Sequence, residues 1–179
     1  MMETEEGGRR TRPEKSAGAD GREEMIRKAA EELKCRGRLG KEQEYFQHGS
    51  TTVLEHSLRV ADLSLRMAQR CETLGIRTDM DSLVRGALLH DYFLYDWHEK
   101  DKSHRLHGFT HPGRALKNAR EDFALNAVEE NIIARHMFPL TPVPPCCREA
   151  WIVCLADKWC AAKETAEGIW GRRGREARA

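Results

Sequence analysis

Apolar positions recur at helical spacing through most of this chain, and no alternating stretch persists long enough to predict a strand. A first amphipathic helix is expected from Glu23 to about Cys35, closed near Gly37. Ser50, Thr51 and Thr52 then offer N-cap oxygens, with Glu55 three residues after Thr52 as in a capping box. The helix opened there carries Val53, His56, Val60, Leu63 and Met67 on one stripe and ends before Gly75. Asp79 or Asp81 can cap the next helix, whose apolar run from Leu83 to Leu89 leads into His90-Asp91 and continues beyond. Residues Asp96 to Thr110 are polar and aperiodic, so a loop is expected there. Pro112 suits the first turn of a helix reaching about Phe123. Asn126 to Met137 forms another helix, stopped by Pro139 and the prolines at 142, 144 and 145. Glu149 to about Glu167 is the last long one. The expected fold is all-α.

Composition narrows the picture only a little. The chain has 179 residues, long enough for a real core in one domain. Its 30 basic and 29 acidic residues leave a formal charge of +1, so no global field draws it to nucleic acid or a membrane surface. The six cysteines form no CxxC pair, and Cys71, Cys154 and Cys160 fall in helical segments where a reduced thiol packs as a small apolar residue. The acidic first residues lack the apolar stretch of a signal peptide, and the longest apolar run, Ala150 to Ala156, is far too short for a bilayer. A soluble protein of the reducing cytoplasm is expected. Residues 1–22 are nearly devoid of apolar side chains and are expected to be disordered. Residues 23–44 read as a helix and linker, 45–168 as the main domain, and 169–179 as a short basic tail.

Six potential metal ligands stand out against this background: His56, His90, Asp91, His111, His136 and Asp157. Imidazole and carboxylate together suit Fe, Mn, Zn and similar divalent ions. His56 lies on the core-facing stripe of its helix, where a lone histidine is ordinarily just a satisfied core residue. Asp157 ends the apolar run from Trp151 and would be costly to bury without a cation, or a salt bridge to Arg85 or Arg59. His90 and Asp91 are about 100° apart on a helix, so both reach one centre only near its end or inner face. Jointly the six point to a metal site. No other nucleophile competes: Ser57 lacks a GxSxG context, the cysteines lack a paired base, and no phosphate-cradling glycine loop is present.

His56, His90-Asp91 and Asp157 match the H…HD…D signature of the HD-domain metal-dependent phosphohydrolases, and the chain resembles that all-helical family over roughly residues 45 to 166. The added His111 and His136 resemble its dinuclear subset. Successive spacings of 20, 25 and 21 residues from Asp91 to His111, His136 and Asp157 are similar to compact bacterial members, including the symmetrical diadenosine tetraphosphate hydrolases. The longer segment from Tyr92 to Lys100, and Phe138 to Pro145 after His136, depart from that group. The resemblance implies that His56, His90 and Asp157 hold one ion and that His111 and His136 hold a second, with Asp91 bridging. It also implies His90 and Asp91 as catalytic residues.

Two divalent transition-metal ions are therefore expected, Fe or Mn ahead of Zn, Ni, Co or Mg. They would acidify a shared water and polarise a phosphoryl oxygen, cleaving a phosphomonoester, a phosphodiester or a dinucleoside polyphosphate. The expected partner is a small anionic phosphorylated substrate such as a nucleotide. Arg114, one turn after His111, is a candidate phosphate ligand. Lys100, Lys102 and Arg105 are candidates too, in a loop that also carries His98, His104 and His107 and that Trp97 and Phe109 flank as stacking candidates. The same ligand set would also serve a mixed-valent diiron HD-domain oxygenase, or a non-catalytic regulatory module that keeps its metal for structure.

Overall fold

The computed structural model describes residues 17–48, 51–95 and 107–176. In order these form α1 (Ala17–Arg36), a 3-10 turn (Leu39–Glu44), β1 (Phe46–His48), β2 (Thr51–Thr52), α2 (Val53–Thr73), α3 (Met80–Leu89), α4 (His107–Asp122), α5 (Ala127–Arg135) and α6 (Arg148–Glu176). The fold is all-α, with one antiparallel strand pair among the described residues. At three and two residues those strands are too short to leave a period in the sequence.

Local chemistry sets the helix starts. Thr52 Oγ1 accepts from the Glu55 amide while Glu55 answers the Thr52 amide, and Asn126 and Glu129 repeat the same capping box on α5. Asp79, rather than Asp81, caps α3. Helix α2 packs against α1, α3 and α6, and α5 bridges α3, α4 and α6. Leu33, Leu65, Leu83, Leu88, Leu89, Ile132 and Ile133 fill the space between them, fully buried. Leu63 and Met67, expected on the buried stripe of α2, are only partly covered, whereas Ala61, Ser64 and Ala68 face inward. The six cysteines are free thiols.

Several boundaries differ from the sequence reading. Helix α1 starts at Ala17, inside the expected tail, because Asp20 suits its first turn and Arg22 reaches across to Asp62 and Gln69 on α2. Residues 1–16 lie outside the described residues. Helix α6 continues to Glu176 through most of the expected basic tail, although Gly171 and Gly174 are poor helix formers. Helix α3 stops at Leu89 instead of running past the His-Asp pair. Helix α4 begins at His107, one turn before Pro112. The hydrogen bond that Pro112 cannot make belongs to the carbonyl of Gly108, at an end where the helix is only starting.

Helices α3 and α5 approach closely because Gly86 has no side chain. A Cβ there would lie 2.5 Å from Ile132 Cδ1 and 3.0 Å from its Cβ and Cγ2. Gly86→Val should therefore cost about 1–3 kcal/mol through overpacking, seen as a lower unfolding temperature. Unchanged stability would mean that α5 can slide away freely.

Candidate metal centre

Helix ends aim most of the candidate ligands. His90 and His136 are the C-cap residues of α3 and α5, and each donates its Nδ1–H to the carbonyl three residues back, Ala87 at 2.8 Å and Ile133 at 2.9 Å. That bond turns Nε2 of both rings inward, and it is the nitrogen each would offer an ion once unprotonated. Asp91 follows in a tight turn, with the Phe93 amide donating to its carbonyl at 2.7 Å. Asn118 of α4 ties down the next stretch by donating to the carbonyls of Tyr92 and Phe93, both at 3.0 Å. His56 comes from the first turn of α2, His111 from α4 and Asp157 from the middle of α6.

These six residues, all buried, fall into two groups that could hold a metal ion. In the first, His56 Nε2 lies 3.1 Å from Asp157 Oδ1, and His90 Nε2 lies 3.7 Å from the same oxygen. In the second, His111 and His136 bring their Nε2 atoms within 2.8 Å of each other, and these stand 3.2 and 3.4 Å from Asp91 Oδ1. Asp91 Oδ2 turns toward the first group, 3.4 Å from His90 Nε2. One carboxylate therefore faces both groups. Four imidazoles and two carboxylates fit divalent transition metals. Buried His90 Nε2 and Asp91 Oδ1 have no well-directed hydrogen bond, as expected of atoms shaped to meet an ion.

Electrostatics agree with this arrangement. Burial works against a charged His56 ring, but its bonds to Asp157 and Glu164 prevail and raise its pKa to about 9. Burial likewise opposes charge on His90, yet the field of Asp91 and contacts with both aspartates push it well up. Asp91 is held well below the carboxylate range: the His90 charge and the close His111 and His136 rings overcome burial. Asp157 is held low in the same way by His56 and His90. His136 is depressed by its burial and is neutral, so its Nε2 accepts from His111 Nε2–H.

His56 is raised from its ordinary 6.5 to about 9, so in metal-free protein its contribution is complete below about pH 6.5 and vanishes as pH rises through about 9. His90 acts in the same direction. Metal uptake needs these rings unprotonated and runs the opposite way. Chelator-treated protein should thus unfold at lower temperature at pH 9.5 than at pH 6.5, while metal affinity rises over that range. Matching unfolding temperatures at both values would refute the ion cluster.

Other residues proved important that the sequence reading did not name. Glu164 on α6 accepts from His56 Nδ1 at 3.0 Å and from Arg59 Nη1 at 3.0 Å. Gln47 donates to Asp91 Oδ2 at 2.6 Å. Glu42 is fully buried and feels Asp91, and its pKa is pushed well up by burial and then by that charge. Lys158 Nζ holds the His136 carbonyl at 2.7 Å. The salt bridges considered for Asp157 form elsewhere, Arg59 to Glu164 and Arg85 to Glu129. Arg114 sits with its guanidinium 4.8 Å from the ring centre of Tyr95, which is beside Phe93 and, through it, His111. Phe109 is exposed on the first turn of α4. Lys100, Lys102 and Arg105, with Trp97, His98 and His104, lie outside the described residues, as does the His107 side chain.

A family model described as HD domain matches residues 53–162, well over half of the chain. The chain belongs to the HD domain family. Its two candidate ion groups lie wholly within that HD span, whereas Glu42, Gln47 and Glu164 fall just outside it. The HD domain is also similar to a dihydroneopterin 2',3'-cyclic phosphate phosphodiesterase of Methanocaldococcus jannaschii, 28% identical over 113 residues. That match covers 59% of this chain and 45% of the relative, so it spans less than half of the relative's length. No solved structure matches the chain. Among the described residues no helix is long and apolar enough to cross a membrane.

Proposed function

We propose that this HD domain is a metal-dependent phosphohydrolase that cleaves a phosphate ester, with a dinuclear centre built from His56, His90 and Asp157 on one side, His111 and His136 on the other, and Asp91 shared. The observation that carries the reading is the placement of Asp91 between two buried groups of ligand-type atoms. The phosphodiesterase named as a relative supports phosphorus-ester chemistry and favours a phosphodiester, cyclic or linear, over a phosphoanhydride. Two divalent ions bound there would supply an acidic water and a Lewis acid for a phosphoryl oxygen.

The chain's own residues do the rest. The Nδ1 bonds of His90 and His136 keep both rings in the tautomer that presents Nε2. Burial of all six side chains strengthens every charge interaction inside the site. Arg114, whose guanidinium lies over Tyr95 next to the Phe93–His111 contact, is our candidate for meeting a substrate phosphate. Lys100, Lys102 and Arg105, outside the described residues, are further candidates from the sequence. The substrate is then a small phosphorylated anion, with a nucleotide as the simplest case.

The test is metal analysis of protein purified without added metal, followed by a panel of monoesters, linear and cyclic diesters and dinucleoside polyphosphates. Two Fe or Mn ions per chain with diester cleavage is the expected result. Oxygen consumption on a polyol or phosphonate without phosphate release would instead make it an oxygenase of the same family. A preparation that keeps its metal and turns over nothing would instead make it a non-catalytic metal-binding module.

A further inference from the structure

We propose that Gln47 is a positioning residue for Asp91, so that the segment Leu39–His48, ahead of the HD span, is a built wall of the metal centre. The inference rests on the reading above, in which Asp91 is shared between two ions. It begins with a defect in the strand pair. Phe46 faces Thr52 and His48 faces Thr51, so Gln47 is the extra residue of the register shift. Bulges of this kind turn a side chain out of its expected direction, and here the turned side chain goes inward. Phe46 is 48% exposed while Gln47 is only 8% exposed.

Inside, Gln47 Nε2 donates to Asp91 Oδ2 at 2.6 Å, closer than the His90, His111 and His136 Nε2 atoms, which stand 3.2–3.4 Å from that carboxylate. A carboxylate oxygen has two lone pairs. The amide takes one of Oδ2 and leaves the other toward His90, while Oδ1 stays turned to His111 and His136. With the carboxylate plane fixed in this way, Asp91 cannot rotate to give both oxygens to one group. A neutral amide suits the task better than a charged group. Lysine or arginine at 47 would repel incoming cations, and a carboxylate would add a third acid beside Asp91 and the buried Glu42.

The segment is anchored on both sides. The Tyr92 hydroxyl takes the Arg38 amide at 2.6 Å and donates to Asp122, Leu39 is fully buried, and the Val53 amide returns to the Tyr45 carbonyl at 2.9 Å. Between these anchors Gln47 Oε1 and both oxygens of Glu42 are buried with no hydrogen-bond partner. Such buried polar atoms beside a ligand cluster suit a wall that faces water or an ion.

The test is calorimetric titration of metal-free protein with Mn²⁺, for wild type, Gln47→Leu and Gln47→Asn, with the electron paramagnetic resonance spectrum of each loaded form. Leucine removes the amide at similar volume, and asparagine keeps it but withdraws it by one methylene. Wild type should take two ions and give the spectrum of an exchange-coupled pair. Both variants should lose about 10–100-fold in affinity for at least one ion and shift toward isolated Mn²⁺, with a fall in metal-free unfolding temperature no larger than the loss of one buried hydrogen bond explains. A packing role alone would move that temperature and leave the coupling intact. Two ions bound at wild-type affinity with a wild-type spectrum in the variants overturns the proposal alone. Fewer than two ions in wild type overturns the shared-carboxylate reading and this proposal with it. If the leucine variant misfolds, the asparagine variant decides.

Discussion

Asp91→Ala should lower turnover by about 10³-fold or more, a rise of about 4 kcal/mol in the barrier. Among the described residues no other acid faces both groups: Oδ1 meets His111 and His136, and Oδ2 meets His90 and Gln47. Removing it would leave each candidate ion one ligand short and would release the constraint on their separation. Metal content should fall with activity. Asp91→Asn makes the comparison cleaner, because it keeps the shape while removing the charge that holds His90 protonated in metal-free protein. The asparagine variant should fold, lose metal and lose turnover. Activity above about a tenth of wild type, a barrier change under about 1.4 kcal/mol, would show that Asp91 is not shared between two ions.

What could be read in the chain follows from how each residue is held. His90 and Asp91 were visible because a histidine and an aspartate closing an apolar helix have no packing reason to be there, and the helix end lets both reach one centre. The all-α fold was legible for a similar reason: the capping boxes at Thr52 and Asn126 and the apolar periods are local signals. The start of α4 was not, since the apolar period is weak before Pro112. Glu42 and Gln47 left no trace because a 3-10 turn and a bulge have no period that separates inside from outside. Glu164 did leave one. It stands seven residues after Asp157 on the same helix, on the face that also buries Cys160, so a second carboxylate aimed at the site was written in the spacing. The alternatives weighed for Asp157 failed because Arg59 and Arg85 have nearer acids, Glu164 and Glu129.

Glu164 also carries the second large effect. His56 is fully buried, and its Nδ1–H goes to Glu164 Oε2 at 3.0 Å while Arg59 holds the other oxygen at 3.0 Å. A carboxylate behind a ligand histidine raises the basicity of the ring and aims its other nitrogen at the ion, here Nε2 toward Asp157. Glu164→Gln keeps the size and should weaken metal binding by about 10–100-fold, read by titration of metal-free protein. Glu164→Ala should also leave the buried His56 donor unpaired, at a cost of about 1–3 kcal/mol in stability. The pH dependence supplies a separate reading. With Glu164 gone, one of the two bonds that raise His56 toward 9 is lost, so the fall in metal-free stability on the alkaline side should begin at lower pH. Wild-type metal affinity in Glu164→Gln, together with an unshifted pH profile, would reduce Glu164 to a partner of Arg59 with no hold on the metal centre.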